Sequence, residues 1–265
     1  MIGLIGGSGL EQIEGLDQAQ LVDIDTPIGK PSDSFLVGKL GDATVAFLPR
    51  HGRGHFINPT EIPNKANILA FKLLGVDRII SISAVGSLRE DIAPGDLAIP
   101  KQLIDRTRLR DNTFFESGIV AHISFADPFC PSLTPQLEKC ARDVGATVHT
   151  GCTYLVMEGP AFSTRAESHL YRNWGASIIG MTALPEAKLA REAEICYGTL
   201  AAVTDFDSWR DSEPGVSVDT VITTLASTTE ICKSTLRELI PRLPSENNCD
   251  CTQALAHSIA TRQDA

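Results

Sequence analysis

Two hydrophobic periodicities alternate along this chain of 265 residues. Short continuous runs of β-branched and other apolar residues are separated by longer stretches in which apolar residues recur every three or four positions. The first pattern is typical of strands covered on both faces, and the second of helices that pack on those faces. We therefore predict an α/β fold with helices flanking a central, buried sheet.

The clearest elements follow from these runs and from the residues that bound them. Gly75, Gly145 and Gly175 each stop a helical stretch, while Thr134 and Ser217 stand at N-cap positions. The predicted strands are residues 2–5, 45–48, 78–85, 154–157, 177–179 and 197–204. The predicted helices are residues 66–74, 134–145, 164–174 and a last one from 217, with Val218, Val221, Ile222 and Leu225 at core spacing.

The chain reads as one domain followed by a tail. No repeat, low-complexity tract or linker divides it, so we predict a single domain over residues 1–244. From Pro244 onward the sequence is polar and has no periodicity. We interpret residues 245–265 as a C-terminal tail of uncertain order.

Charge and hydropathy exclude two classes of partner. The net charge of -10 argues against a general nucleic-acid binder, because neutralising backbone phosphates needs a basic face. No stretch approaches the roughly 18 apolar residues of a membrane span. The apolar residues 1–5 follow no basic leader and are interpreted as a strand instead of a signal peptide. We therefore expect a cytoplasmic protein.

Seven scattered cysteines lack the paired spacing of a zinc site. Buried free thiols are the simplest interpretation, and no metal is expected in the functional site. Cys249 and Cys251 leave a second interpretation open, because two thiols in a tail could oxidise or bind a metal.

The first strand runs into a glycine loop, residues 6–9 (GGSG), in which Ser8 adds a hydroxyl. Backbone N–H groups of such a loop can approach an anion closely. The loop is not a dinucleotide fingerprint, since Gln12 stands where the third glycine belongs, and it lacks the lysine of a P-loop. Taken alone, it is equally consistent with a tight turn and with an anion site.

Two further segments supply anion-binding groups. Residues 50–55 place two arginines and two histidines among glycines just after a strand, and the arginine fork suits phosphate. Ser83 and Ala84 lie near the carboxyl end of another strand, where α/β folds commonly bind ligands. With the glycine loop, these segments offer hydroxyl, amide and guanidinium donors to one anion.

Asp205 and Asp207 follow a third apolar run. Burial there raises the pKa of a carboxyl and makes it a useful proton donor. The same two residues are also consistent with a polar loop or a helix cap.

Taken in order, six motifs resemble those of the 5'-methylthioadenosine phosphorylase family, and the resemblance extends from residue 2 to about residue 240. It implies a single α/β domain around a central mixed sheet, of the trimeric nucleoside phosphorylase type. The implied reaction converts 5'-methylthioadenosine and phosphate into adenine and 5-methylthioribose 1-phosphate, without a cofactor. The motifs are residues 6–9 (GGSG), 50–52 (RHG), 83–89 (SAVGSLR), 158–163 (EGPAFS), 180–186 (GMTALPE) and 204–207 (TDFD).

The resemblance also implies roles for individual residues. Phosphate would be bound by Ser8, Arg50, His51, Ser83, Ala84 and Thr182. The nucleoside would contact Phe162, Met181, Val218, Val221 and Ile222, with His122 supplied by the neighbouring subunit of a homotrimer, or of a hexamer. The expected catalytic residues are Asp205, Asp207 and Ser163.

The two aspartates carry the prediction of substrate. A protonated Asp205 would donate to N7 of the departing base, and Asp207 would accept from a 6-amino group. The alternative within the enzyme class is a phosphorylase of 6-oxopurine nucleosides or of methylthioinosine, for which an amide such as asparagine would be expected. The alternative from another class is a non-catalytic regulator that binds a nucleotide.

Three positions depart from the family pattern. Ala161 replaces an arginine found in some relatives and leaves open how its loop is anchored. Residues 63–67 (PNKAN) replace a segment that contains an Asn-Tyr pair. Ser8 replaces a threonine but keeps the hydroxyl.

Overall fold

A computed structural model describes residues 1–7, 15–212 and 214–261 of the chain. The described part is an α/β fold built on one mixed sheet. Its strands are β1 (Ile2–Gly6), β2 (Leu16–Val22), β3 (Phe35–Leu40), β4 (Ala43–Pro49), β5 (Arg78–Ser87), β6 (Leu97–Arg106), β7 (Val148–Met157), β8 (Ile178–Gly180) and β9 (Cys196–Asp205). Its helices are α1 (Asn64–Leu73), α2 (Leu133–Asp143), α3 (Arg165–Asn173), α4 (Ala183–Glu192) and α5 (Val218–Leu239).

The sheet closes on itself at one end. The strand order is β2-β3-β4-β1-β5-β8-β7-β6-β9, and β9 also pairs with β5. A closed ring is therefore formed by β5, β8, β7, β6 and β9. The sheet continues beyond β5 as an open extension, in the order β1, β4, β3 and β2. Within the ring β5 and β9 are parallel, whereas β8 runs antiparallel to β5. The predicted mixed sheet is confirmed.

The sequence signals account for the helix ends where caps form. Thr164 caps α3 in a capping box with Glu167, and the hydroxyl of Ser217 accepts the backbone N–H of Thr220 at the start of α5. Both helices therefore begin where predicted. Among the described helices, none is long and apolar enough to cross a membrane.

Two large hydrophobic clusters cover the sheet. One packs α1 and α4 against strands from both the ring and its extension, through residues such as Phe71 and Leu189. The other packs α2 and α5, through residues such as Leu137 and Leu236. Strands β5, β6 and β7 each contain a run of buried residues, and every residue of β9 is buried.

The polar C-terminal segment is attached to this body over the residues described. The backbone N–H of Leu255 donates to Glu194, and that of Ala260 donates to the carbonyl of Val120. Residues Asp250–Gln253 form a 3-10 turn in which Cys251 is buried. Apart from short 3-10 turns, the segment after α5 has no helix in the described region.

Candidate active site

A cavity of about 970 Å³ opens where β1, β4, β5 and β9 reach their carboxyl ends. Ligands of α/β folds bind in this position because strand ends and the loops after them converge there. Most of the residues predicted for the site are brought together in its wall. They are Arg50, His51, Ser83, Ala84, Phe162, Met181, Thr182, Asp205, Asp207, Val218, Val221 and Ile222.

The pairing of β5 with β9 sets the centre of the cavity. Ala84 pairs with Ala202 and Gly86 with Asp205, in a parallel register that shifts by one residue between these pairs. A side chain on Gly86 would place its Cβ 2.8 Å from Asp205 Oδ1. Only glycine lets β5 approach the carboxylates this closely, so the strand pairing and the acidic pair depend on each other.

Hydroxyl groups form one side of the cavity. Ser83 Oγ and Thr182 Oγ1 lie 2.8 Å apart and share a hydrogen bond, although they come from β5 and from the turn after β8. Gly7, at the end of β1, lies in the same wall. Ser8 falls outside the described residues. The described groups on this side are hydroxyls and backbone segments, and hydrogen-bond donors of these kinds bind oxyanions.

Arg50 has a more internal position than its motif indicates. Its side chain is 1% exposed, and all three guanidinium nitrogens donate to protein oxygens. Glu186 pairs with the guanidinium through both carboxylate oxygens, and Ser81 accepts a further hydrogen bond at 2.7 Å. The positive charge therefore lies at the cavity wall but is held by a buried carboxylate that sequence reasoning had not assigned a role.

His51 is an uncharged group in this wall. Its Nδ1 lies 2.8 Å from the carbonyl oxygen of Ile57, so that nitrogen carries the proton and donates. Burial and, to a smaller extent, the nearby charge of Arg50 together lower the pKa of His51 to about 4. At neutral pH the ring is a hydrogen-bonding group rather than a cation.

Asp205 ends β9 in an environment that favours its protonated form. Burial raises the pKa of its carboxyl, although hydrogen bonds from the Thr204 hydroxyl at 2.7 Å and the Asp207 backbone N–H at 2.8 Å lower it. No lysine or arginine is among the causes of the shift. The result is a carboxyl suited to giving a proton at the cavity surface.

Asp207 has one carboxylate oxygen without a hydrogen bond among the described residues, although the hydroxyls of Ser168 and Ser163 lie close enough to the carboxyl to lower its pKa. Burial raises the pKa of this carboxyl, and the neighbouring charge of Asp205 adds to the rise. Its Oδ2 is buried and has no hydrogen-bond partner among the described residues. Its φ of 50° is in the left-handed region, which aspartate adopts more readily than most residues. A buried acceptor left open in this way is what a ligand's N–H group would satisfy.

The opposite side of the cavity is apolar. Phe162 and Met181 come from the loops after β7 and β8, and Val221 lies on α5. Val218 and Ile222, on the same helix, are 61% and 60% exposed although they line the cavity. This wall is therefore incomplete in the single chain.

The chain matches the phosphorylase superfamily model over residues 1–241. It is 54% identical to the S-methyl-5'-thioadenosine phosphorylase of Geobacter sulfurreducens, covering 100% of this chain and 93% of that protein. It is 52% identical to the enzyme of the same name from Chloroflexus aurantiacus, covering 99% and 92%. The chain belongs to the S-methyl-5'-thioadenosine phosphorylase family of this superfamily.

Solved structures agree with this assignment. A methylthioadenosine phosphorylase from an antarctic soil metagenomic library superimposes with a TM-score of 0.94 at 47% identity, covering 99% of this chain and 93% of that one. The methylthioadenosine phosphorylase of Schistosoma mansoni, solved in complex with adenine, gives 0.91 at 35% identity over 100% and 99%. The predicted nucleoside phosphorylase fold is confirmed.

A buried ion pair anchors the loop after β7 in this family member. Arg110 donates to the carboxylate of Glu158 at 3.0 Å, to the carbonyls of Met181 and Leu184 at 2.5 and 2.7 Å, and to the Glu158 carbonyl at 2.6 Å. One guanidinium thus joins the loops that carry Phe162 and Met181. The loop containing Ala161 therefore has an anchor, and sequence reasoning missed it because Arg110 lies in a segment without periodicity.

Glu158 is the acidic partner in this anchor. Burial raises the pKa of Glu158, but backbone N–H groups of Arg108 and Leu109, the Arg110 guanidinium and the Thr60 hydroxyl outweigh burial and lower it to about 2. The carboxylate is therefore ionised at neutral pH.

Two of the predicted residues do not line the cavity. Ser163 is buried, and its hydroxyl lies 3.6 Å from Met157 Sδ and close enough to Asp207 to lower the pKa of that carboxyl, so it lies beside an acidic residue of the site. His122 lies in the segment that the C-terminal residues cover, where its backbone N–H donates to the Ser258 carbonyl. Its predicted role belongs to a neighbouring subunit.

Proposed function

We propose that this chain catalyses the phosphorolysis of 5'-methylthioadenosine, giving adenine and 5-methylthioribose 1-phosphate. One observation carries the proposal. A hydroxyl-rich wall on β5 and a pair of buried carboxyls at the end of β9 face one cavity, in adjacent strands. Phosphorolysis needs an anion subsite and a leaving-group acid on the two sides of one glycosidic bond.

Phosphate is bound on the hydroxyl side. Ser83 and Thr182 donate hydroxyls, Ala84 contributes backbone, and His51 is neutral. Arg50 places a positive charge behind them that Glu186 holds in position. These groups orient the phosphate oxygen that attacks C1' of the ribose, and the phosphate charge stabilises the ribosyl cation that develops.

Adenine leaves from the carboxyl side. As the bond between C1' and N9 breaks, its electron pair passes into the purine, and Asp205 gives its proton to N7. The unpartnered oxygen of Asp207 accepts a hydrogen bond from the 6-amino group. Neither step uses a metal or an organic cofactor.

The preference for an amine over a 6-oxo group follows from the same oxygen. A hypoxanthine or guanine base would place its carbonyl oxygen against a buried acceptor, which costs the hydrogen bond and adds repulsion. The unpartnered Asp207 oxygen therefore disfavours 6-oxopurine nucleosides and methylthioinosine as substrates.

The 5' end of the nucleoside lies against the apolar wall of Val218, Val221 and Ile222. The high exposure of Val218 and Ile222 supports completion of this wall by a neighbouring subunit, which contributes His122 in a homotrimer. Sedimentation of the purified protein tests the assembly. A protein that sediments as a monomer and still catalyses phosphorolysis of 5'-methylthioadenosine would contradict this part of the proposal.

Incubation with 5'-methylthioadenosine, with and without phosphate, tests the reaction. We expect adenine and 5-methylthioribose 1-phosphate to form only when phosphate is present. Adenine release that ignores phosphate would indicate a hydrolase. No release at all would favour a regulator that binds nucleosides without turnover.

A further inference from the structure

Four of the seven cysteines meet at a place that the cavity does not include. Cys130 lies just before α2, Cys196 is the first residue of β9, and Cys249 and Cys251 lie in the C-terminal segment. Their sulfur atoms all lie within 4.8 Å of one another. All four belong to the hydrophobic cluster around α2 and α5. Thiols separated by up to 121 positions in the sequence (251 minus 130) are thus gathered at one point.

From this arrangement we propose a binding site for one tetrahedral divalent metal ion, zinc by its chemistry, with Cys130, Cys196, Cys249 and Cys251 as its four ligands. A tetrahedral zinc ion at about 2.3 Å from each sulfur places the sulfurs about 3.8 Å apart. Cys130 and Cys249 are 3.6 Å apart, and Cys196 and Cys249 are 3.3 Å apart. Changes of about 1 Å or less in the sulfur–sulfur distances therefore bring the group to a regular tetrahedron around one ion.

The distances favour a shared ion over disulfides. A disulfide joins two sulfurs at about 2.05 Å and gives each thiol a single partner. Cys249 lies at similar distances from Cys130 and Cys196, as a ligand does when several sulfurs surround one ion. Metal binding also needs no oxidant, since it requires only that the thiols lose their protons.

The surroundings fit an all-sulfur site. Cys130, Cys196 and Cys251 are buried and Cys249 is half-buried, so the group is closed to all but one side. The backbone N–H of Leu133 lies 3.4 Å from Cys130 Sγ and donates to it, an outer contact of the kind that orients metal-bound thiolates. Four thiolates without histidine or carboxylate select zinc, or iron, over magnesium and calcium.

The ion would attach the C-terminal segment to the sheet. Two ligands belong to the body and two to a segment with no helix beyond short 3-10 turns in the described region. The site lies at the other end of β9 from Asp205, nine residues away in the strand, or about 30 Å at the usual rise. Its role is therefore structural and separate from phosphorolysis.

The metal content of full-length protein tests the proposal. We expect about one zinc per chain in the wild type after reduction, zinc addition and dialysis, and less than about a tenth in the variant with both Cys249→Ala and Cys251→Ala. Cys140→Ala is the matched control, because Cys140 is also buried, within α2, but lies outside the group. It should bind as much zinc as the wild type.

Cobalt(II) supplies a second readout that needs no variant. Wild-type protein loaded with cobalt should show thiolate-to-cobalt charge transfer and the intense visible bands of tetrahedral cobalt. Phosphorolysis at moderate temperature should be equal in the wild type and in the double variant, while a chelator should lower the Tm of the wild type only.

Two results overturn the metal site. One is a reduced wild-type chain that takes up neither zinc nor cobalt, whether alkylation and mass measurement then find free thiols or disulfides. The other is equal zinc in the wild type and the double variant. If the double variant does not fold, the cobalt titration of the wild type decides alone.

Discussion

Glu158 and Asp205 are carboxylic acids at the ends of two strands of one sheet, and their pKa values are shifted in opposite directions. Glu158 follows β7, and hydrogen bonds with Arg110 and two backbone N–H groups lower its pKa to about 2 despite burial. Asp205 ends β9, where burial raises its pKa and only one hydroxyl and one N–H oppose the rise. The partners decide between a structural anion and a proton donor, since burial acts on both in the same direction.

The comparison also separates stability from activity. An ionised carboxylate with a guanidinium partner stabilises the fold around it, whereas a buried carboxyl without a cation costs stability whenever it ionises. The contacts around Glu158 therefore stabilise the fold, whereas burial around Asp205 raises the pKa of a carboxyl whose ionisation costs stability.

The largest effect is expected from Asp205→Asn. The amide cannot give a proton to N7, so kcat for methylthioadenosine should fall by about 10²- to 10⁴-fold. The Tm at neutral pH should not fall, because no buried carboxyl remains to be ionised. Steady-state kinetics and thermal unfolding measure both. Full activity in this variant would remove Asp205 from the mechanism.

Arg110→Met should lower the free energy of unfolding by about 3 kcal/mol, because Glu158 is left without its guanidinium partner. Adding Glu158→Gln should restore part of the loss, and urea unfolding of the single and double variants measures this coupling. Additive losses in the double variant would mean that the pair is not an anchor. Activity should fall as well, since Arg110 holds the Met181 carbonyl.

Asp207→Asn should shift substrate preference more than it lowers the rate. The ratio of kcat/KM for methylthioadenosine over methylthioinosine should fall by about 10- to 100-fold, because an amide N–H suits a 6-oxo group. Asp91→Asn, at an exposed position outside the cavity, is the control. An unchanged ratio would contradict the role of Asp207 in reading the base.

The smallest effect is expected in the pH dependence of stability, which should distinguish Glu158 from Asp205. The pKa of Glu158 is lowered from 4.5 to about 2, so its contribution is present above pH 4.5 and is lost as the pH falls toward 2. The pKa of Asp205 is raised, so its contribution is present below its unfolded value of 3.8 and is lost as the pH rises through the folded pKa. In Glu158→Gln, the Tm should vary less with pH below pH 4.5 than it does in the wild type. In Asp205→Asn, the Tm should vary less with pH above pH 3.8. Parallel curves would show that neither shift exists.

Most of the central strands were predictable because each contains a run of buried apolar residues. The β9 prediction of residues 197–204 differs from the observed Cys196–Asp205 by one residue at each end. Strand β6 was missed because Pro100 interrupts its run, and the structure accommodates the proline at a shift in register. Helix α4 was missed because Leu184 has a non-helical conformation ahead of Pro185. Strand β2 is exposed along one edge and carries no apolar run.

The residues of the site also fall into two groups, those that local sequence patterns indicated and those whose roles depend on partners distant in the sequence. Ser83, Thr182 and Asp205 stand at strand ends within motifs, so position and residue type together indicated them. The internal use of Arg50 was hidden, because its partner Glu186 lies 136 positions away and no local pattern links them. The cysteine site was hidden for the same reason, since its ligands share no spacing until the fold brings them together.

The parallel pairing of β5 with β9 has a consequence for how this scaffold diversifies. Neighbouring strands lie about 4.8 Å apart, so backbone hydrogen bonds between β5 and β9 set the distance from Ser83 and Ala84 to Asp205. The groups around the 5' substituent belong to α5, a separate element at the rim. New nucleosides can therefore be accommodated by exchanging that helix face, while the reaction axis is inherited unchanged.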